Sequence, residues 1–87
     1  MPQTEEGHWF DTETSKRQVW AIFRGGLWVT ATGNLVVEVM HGQYRPETFH
    51  EVTPDGAVWW LMRFGKARDA QRMFPAEYAR YMQQNQI

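Results

Sequence analysis

Between Arg17 and His41 the chain reads RQVWAIFRGGLWVTATGNLVVEVMH, three β-prone runs separated by Gly25-Gly26 and Gly33-Asn34. Val, Ile, Trp, Phe and Thr dominate these runs, and such side chains suit a pleated, half-buried surface. Glycine adopts the positive φ of tight hairpin turns without steric cost, so both dipeptides read as two-residue turns. The expected product is an antiparallel meander.

Two-residue turns also set an expected register. The first places Arg24 opposite Leu27, and the second places Thr32 opposite Leu35. Alternation then puts Val19, Ala21, Phe23, Trp28, Leu35, Val37 and Val39 on one face. The other face carries Trp20, Ile22, Arg24, Leu27, Val36, Glu38 and Met40. The first face has no charge and reads as core. The second is nearly as apolar yet holds Arg24 and Glu38, which suggests a surface that meets something other than water.

Upstream, Met1–Gly7 is polar and aperiodic and reads as a mobile tail. His8-Trp9-Phe10 reads as a short added edge strand. Downstream, Gly42–Pro46 is a loop and Thr48–Val52 is β-prone. Thr53-Pro54-Asp55-Gly56 fits a type I turn, and equally an N-cap with Pro at the first helical position. The following AVWWLMRF is apolar at nearly every position, so periodicity cannot separate strand from helix. Its shortness and its Val-Trp-Trp content favour a strand over Ala57–Phe64. After Gly65, a stripe of Ala67, Ala70, Phe74, Tyr78 and Tyr81 has helical spacing. Pro75 cannot continue a helical ladder, so two helices are expected, about 66–73 and 75–84.

The expected fold is α+β in one domain of 87 residues, mainly strands over 8–64 and helical over 66–84. Its antiparallel meander of four to six short strands, able to curl into a partly open small barrel, precedes one or two C-terminal helices.

Composition narrows function by exclusion. No cysteine is present, which removes thiolate chemistry and thiolate metal sites and fits a reducing compartment, the cytoplasm. No apolar run reaches the roughly 18 residues of a membrane span. The only serine, Ser15, lacks a nucleophile-elbow motif. His8, His41 and His50 fall on separate elements, and Glu38 and Glu51 read as surface charges. Gly65-Lys66 is too short for a phosphate loop and reads as a helix start. No enzyme, metal or cofactor is expected.

Two binding readings remain. Aromatic residues, Arg and Met are enriched at protein interfaces. That makes Trp20, Arg24 and Met40 on the second face, Trp59 with Arg63, and Trp28 given a shifted register, the expected partner-binding residues. A protein partner or self-association follows. Small stand-alone chains of this kind include inhibitors and accessory factors of phages and other mobile elements. The alternative is nucleic acid. Residues 63–80 carry a net charge of +3 within a chain of net charge −1, and Lys66, Arg68, Arg72 and Arg80 would track phosphates.

Overall fold

The computed structural model describes residues 2–86. Four strands form one antiparallel sheet in sequential order: β1 Lys16–Ala21, β2 Gly25–Val29, β3 Leu35–Val39 and β4 Thr48–Val52. Three helices follow: α1 Pro54–Arg63, α2 Ala67–Met73 and α3 Pro75–Gln84. The class is α+β, as expected. The sheet stays open, with β1 and β4 as its edges, and does not close into a barrel. The chain divides after Val52 into a compact sheet unit and a compact helical unit.

Both hairpin loops are longer than expected. Ala21 pairs with Gly25, and Val29 with Leu35. The first loop is therefore Ile22-Phe23-Arg24, closed by the Arg24 N–H donating to the Ala21 carbonyl at 2.9 Å. In the second, the Thr30 N–H donates to Asn34 and the Gly33 N–H to Thr30, both at 2.9 Å, with Gly33 at φ 87°.

Gly25 and Gly26 lie within β2 instead of forming the turn. A Cβ on Gly25 would sit 1.8 Å from the Glu38 carbonyl oxygen. One on Gly26 would press on the Arg17 side chain, the Val19 carbonyl and the Trp20 ring, at 2.9 to 3.1 Å. Their missing side chains serve close backbone and ring approach. A bulge between Arg17 and Val19 adds a second irregularity.

The register moves Trp28 and Leu27 to the faces opposite those expected. Leu27 pairs with Val19 and Val37, and all three are buried. Trp28 pairs with Arg17 and Val36, on the face that also carries Trp20, Gly26, Glu38 and Phe49. Phe10 covers part of this face, in a buried cluster with Val36 and Phe49 against which Trp28 packs.

Phe10 is held there by residues 2–10. The Thr4 N–H donates to the His8 carbonyl, and the Phe10 N–H to the Pro2 carbonyl. Gln3 and Trp9 form a single bridge, so 8–10 is not an added sheet strand. The Glu5 N–H donates to the Phe49 carbonyl at 2.8 Å, and the Glu51 N–H to Glu6 Oε1 at 2.7 Å. The stretch read as a tail thus caps the outer edge of β4.

The strand expected over Ala57–Phe64 is instead α1. Thr53 is its N-cap, with the hydroxyl accepting from the Gly56 N–H at 3.1 Å, Pro54 in the first turn, and Asp55 favourably placed against the helix dipole. Ala57, Val58, Trp60 and Leu61 are buried, an i, i+1, i+3, i+4 pattern that belongs to a helix. The helix ends in a Schellman motif: Gly65, at φ 72°, donates to Met62, and Lys66 donates to Leu61. α2 and α3 break between Phe74 and Pro75, where the proline was expected to interrupt the helix. Among the described residues, no helix is long and apolar enough to cross a membrane.

Candidate protein-binding surface

The face bearing Trp28 becomes more exposed toward the β1–β2 turn. There Gly26 leaves a shallow floor on β2, and the side chains of Arg17 and Trp20 lie over it. The Arg17 guanidinium sits 4.2 Å from the centroid of the Trp20 ring and 5.6 Å from that of Trp28. A cation between two indole faces is attracted by both ring quadrupoles. Trp28 is fixed from below: its ring meets Phe10 edge-on at 5.3 Å, and its Nε1–H donates to Glu38 Oε1 at 2.9 Å. Glu38, expected as a surface charge, is buried as that acceptor. So Trp28 is half-buried and structural on one side, and it offers its ring face to Arg17 on the other.

The β2–β3 register continues one step past Gly25 and Val39. The Met40 N–H donates to the Arg24 carbonyl at 3.1 Å. Met40 therefore joins the Trp20 face at the hairpin end, and both remain 36% exposed. Trp20, Arg24, Glu38 and Met40, grouped on one face from sequence, do share one end of the sheet. Trp28 replaces Leu27 among them.

Beyond Trp20 the loop projects two apolar side chains into solvent, Ile22 at 68% and Phe23 at 82% exposure. Phe23 has φ 64°, the one positive φ among non-glycine residues in the described chain. It occupies the third position of a turn that favours Gly or Asn there. A bulky L-residue in this region costs about 1–2 kcal/mol. Sequence reasoning placed Phe23 in the core because it took Gly25-Gly26 as the turn, and it passed over Arg17. The clue for Arg17 was its position at the start of a Trp-rich strand facing a glycine.

The helical unit carries the other expected residues. Trp59 is 55% exposed on α1, and the Arg63 guanidinium lies 5.3 Å from its ring centroid, one turn on. Half of the basic set is engaged with acids. Arg72 pairs with Asp69 at 3.0 Å, and Arg80 contacts both carboxylate oxygens of Asp55 at 3.0 and 3.2 Å. Lys66 is a half-buried helix-start residue, and Arg68 is exposed without a side-chain partner among the described residues.

At the opposite end of the sheet face, the Glu51 carboxylate accepts from the Thr4 hydroxyl at 2.7 Å and meets His8 Nδ1 at 2.6 Å. The Thr4 hydroxyl, and after it the His8 ring, hold the Glu51 carboxyl below its ordinary value. Among the described residues, no group of three or more His, Asp or Glu is arranged to hold a metal ion.

No protein-family model, no curated protein and no solved structure matches the chain.

Proposed function

We propose that this protein is a small non-catalytic protein-binding module. It docks through the β1–β2 hairpin end, with Phe23 and Ile22 as apolar anchors and Trp20, Met40, Arg24 and Arg17 around them. It acts by occluding or bridging its partner, as a cytoplasmic inhibitor or accessory factor would.

The observation that carries this reading is Phe23. A phenyl ring in a disfavoured backbone conformation and 82% exposed contributes little to the isolated fold. Strain of this kind concentrates at sites of recognition. Arg17 and Arg24 add positive charge with no exposed carboxylate beside them on β1, β2 or their loop, so the patch suits an apolar pocket with an acidic rim. Strand addition at the sheet edges is the weaker route. Glu5 and Glu6 cap β4, while Lys16, Arg17 and a bulge blunt β1.

The test is affinity capture from host lysate with the wild-type chain and with Phe23→Gly, each with and without nuclease. Glycine relieves the positive φ and removes the ring, so the variant should melt within a few degrees of wild type. Partner binding should fall by about 2 kcal/mol or more, roughly thirtyfold. Equal capture by both proteins would sink the proposal, and capture abolished by nuclease would replace it with nucleic-acid binding.

A further inference from the structure

The sheet unit also contains a cleft of about 370 Å³, separate from the hairpin end, bordered by the N-terminal segment and the β2–β3 loop. We infer that this cleft binds a small neutral polyhydroxylated ligand, a hexose or a disaccharide, stacked on Trp9.

The lining sets the chemical class. No Lys or Arg borders the cleft, and its one histidine, His8, already faces the Glu51 carboxylate, so no free cation is there to neutralise a phosphate or carboxylate. Each of its two carboxylates already has a protein partner on one oxygen: Glu51 Oε2 meets Thr4 and His8, and Asp11 Oδ1 accepts from the Glu13 N–H at 2.9 Å. Neutral hydrogen-bonding groups remain. Ser15 is only 8% exposed, and its hydroxyl bonds to none of the described residues; since no buried side-chain polar atom among them lacks a partner, this hydroxyl opens to the cleft it lines. Its donor and acceptor capacity is therefore left for whatever fills the cleft. The Thr14 hydroxyl and the Asn34 amide oxygen, on exposed residues of the same lining, likewise make no hydrogen bond within the described residues. Together they offer paired donor and acceptor capacity, which is what vicinal hydroxyls require.

Trp9 supplies the apolar half of the match. It lines the cleft and is 71% exposed, an indole with no packing role to explain it. Its electron-rich face attracts the C–H groups of a pyranose ring as it attracts the positive edge of another aromatic. The volume lies at the small end of ligand sites, roughly 300–1,000 Å³, and accommodates one or two sugar rings. This site is independent of the proposed protein-binding surface.

The experiment is a two-dimensional ¹⁵N NMR titration of the full chain. The probes are glucose, galactose, mannose and N-acetylglucosamine as methyl glycosides, and lactose and maltose, each to about 10 mM. Choline and inorganic phosphate are run alongside. At least one sugar should give saturable shifts at the Trp9 indole, Ser15 and Asn34, with a dissociation constant on the order of 1 mM. Trp9→Ala should weaken that binding at least about tenfold and leave the rest of the spectrum in place, because the ring is exposed. Ser15→Ala should weaken it as well; if that variant unfolds, Trp9→Ala decides alone. Three results overturn the inference: no sugar saturates, choline or phosphate saturates in place of the sugars, or Trp9→Ala binds like wild type.

Discussion

Phe10 is where the N-terminal segment is pinned to the sheet, and replacing it with Ala tests that arrangement directly. The side chain is 1% exposed, with its ring 5.3 Å from Trp28 and 5.0 Å from Phe49. Removing a fully buried Phe forfeits about 1.5–3 kcal/mol of transfer free energy. Each aromatic contact adds roughly 0.5–1.5 kcal/mol, and a residual cavity adds more, so a total near 4 kcal/mol is expected, within the usual Phe→Ala range of about 3–5 kcal/mol. A chain of this length has a total stability of roughly 4–13 kcal/mol, so the variant should be marginal. Urea unfolding followed by tryptophan fluorescence measures the loss. Hydrogen exchange locates it: the Glu5 and Glu51 amides, which bond across to β4 and from it, should lose protection before those of β2 and β3. A loss under about 1 kcal/mol, or unchanged protection at Glu5 and Glu51, would show that residues 2–10 are not docked as described.

Further outcomes follow from single residues. The Glu51 carboxyl is held below its ordinary value of 4.5. Its contribution to docking is therefore complete above the unfolded value and lost as pH falls through the lowered folded one. Exchange protection at Glu5 should drop on acidification below 4.5, and Glu51→Gln should flatten that dependence; an identical acid profile in the variant would contradict it. Gly25→Ala would drive a Cβ into the Glu38 carbonyl at a φ of 134°, costing about 3 kcal/mol or more, and wild-type melting would disprove the packing. Trp28→Ala should cost about 3–5 kcal/mol, whereas Trp59→Ala should cost under about 1 kcal/mol, with both read from the same melts.

The class of the fold was legible from local signals that act alone. Pro75 falls inside a helical pattern, where a proline interrupts the ladder whatever surrounds it, and the β-branched and aromatic runs of 17–41 make strands in almost any register. What was not legible depended on partners far along the chain. Gly25-Gly26 satisfies a tight turn and a close approach equally well. Only the Glu38 backbone and the Trp20 ring, which lie against it in the fold, decide for the second. The Ala57–Phe64 run failed differently. Its composition favours a strand, but the cap at Thr53 and the Schellman stop at Gly65 bracket it as a helix. Capping chemistry outweighed a β-propensity that spans only about 1 kcal/mol. His8, Thr4 and Glu51 could not have been joined from sequence, since 43 or more positions separate Glu51 from the other two.

The candidate surface groupings survived better than the elements that carry them, for a geometric reason. Trp59 and Arg63 were paired on the argument that residues four apart share a strand face. They share a helix face as well, because four residues is an even step in a strand and close to one full turn of a helix. Their cation–π contact at 5.3 Å therefore survives the change from strand to helix. Trp28 had no such protection. Its expected face rested on loop length, and two loops of the wrong length, with a bulge in β1, altered every cross-strand neighbour it has. Trp20, Arg24, Glu38 and Met40 kept their grouping because Trp20 and Arg24, like Glu38 and Met40, are an even number of residues apart along one segment, and the Arg24–Met40 hydrogen bond aligns the two segments. Surface groupings built from even separations within one segment tolerate errors in secondary structure, and groupings built across a turn inherit the error of that turn.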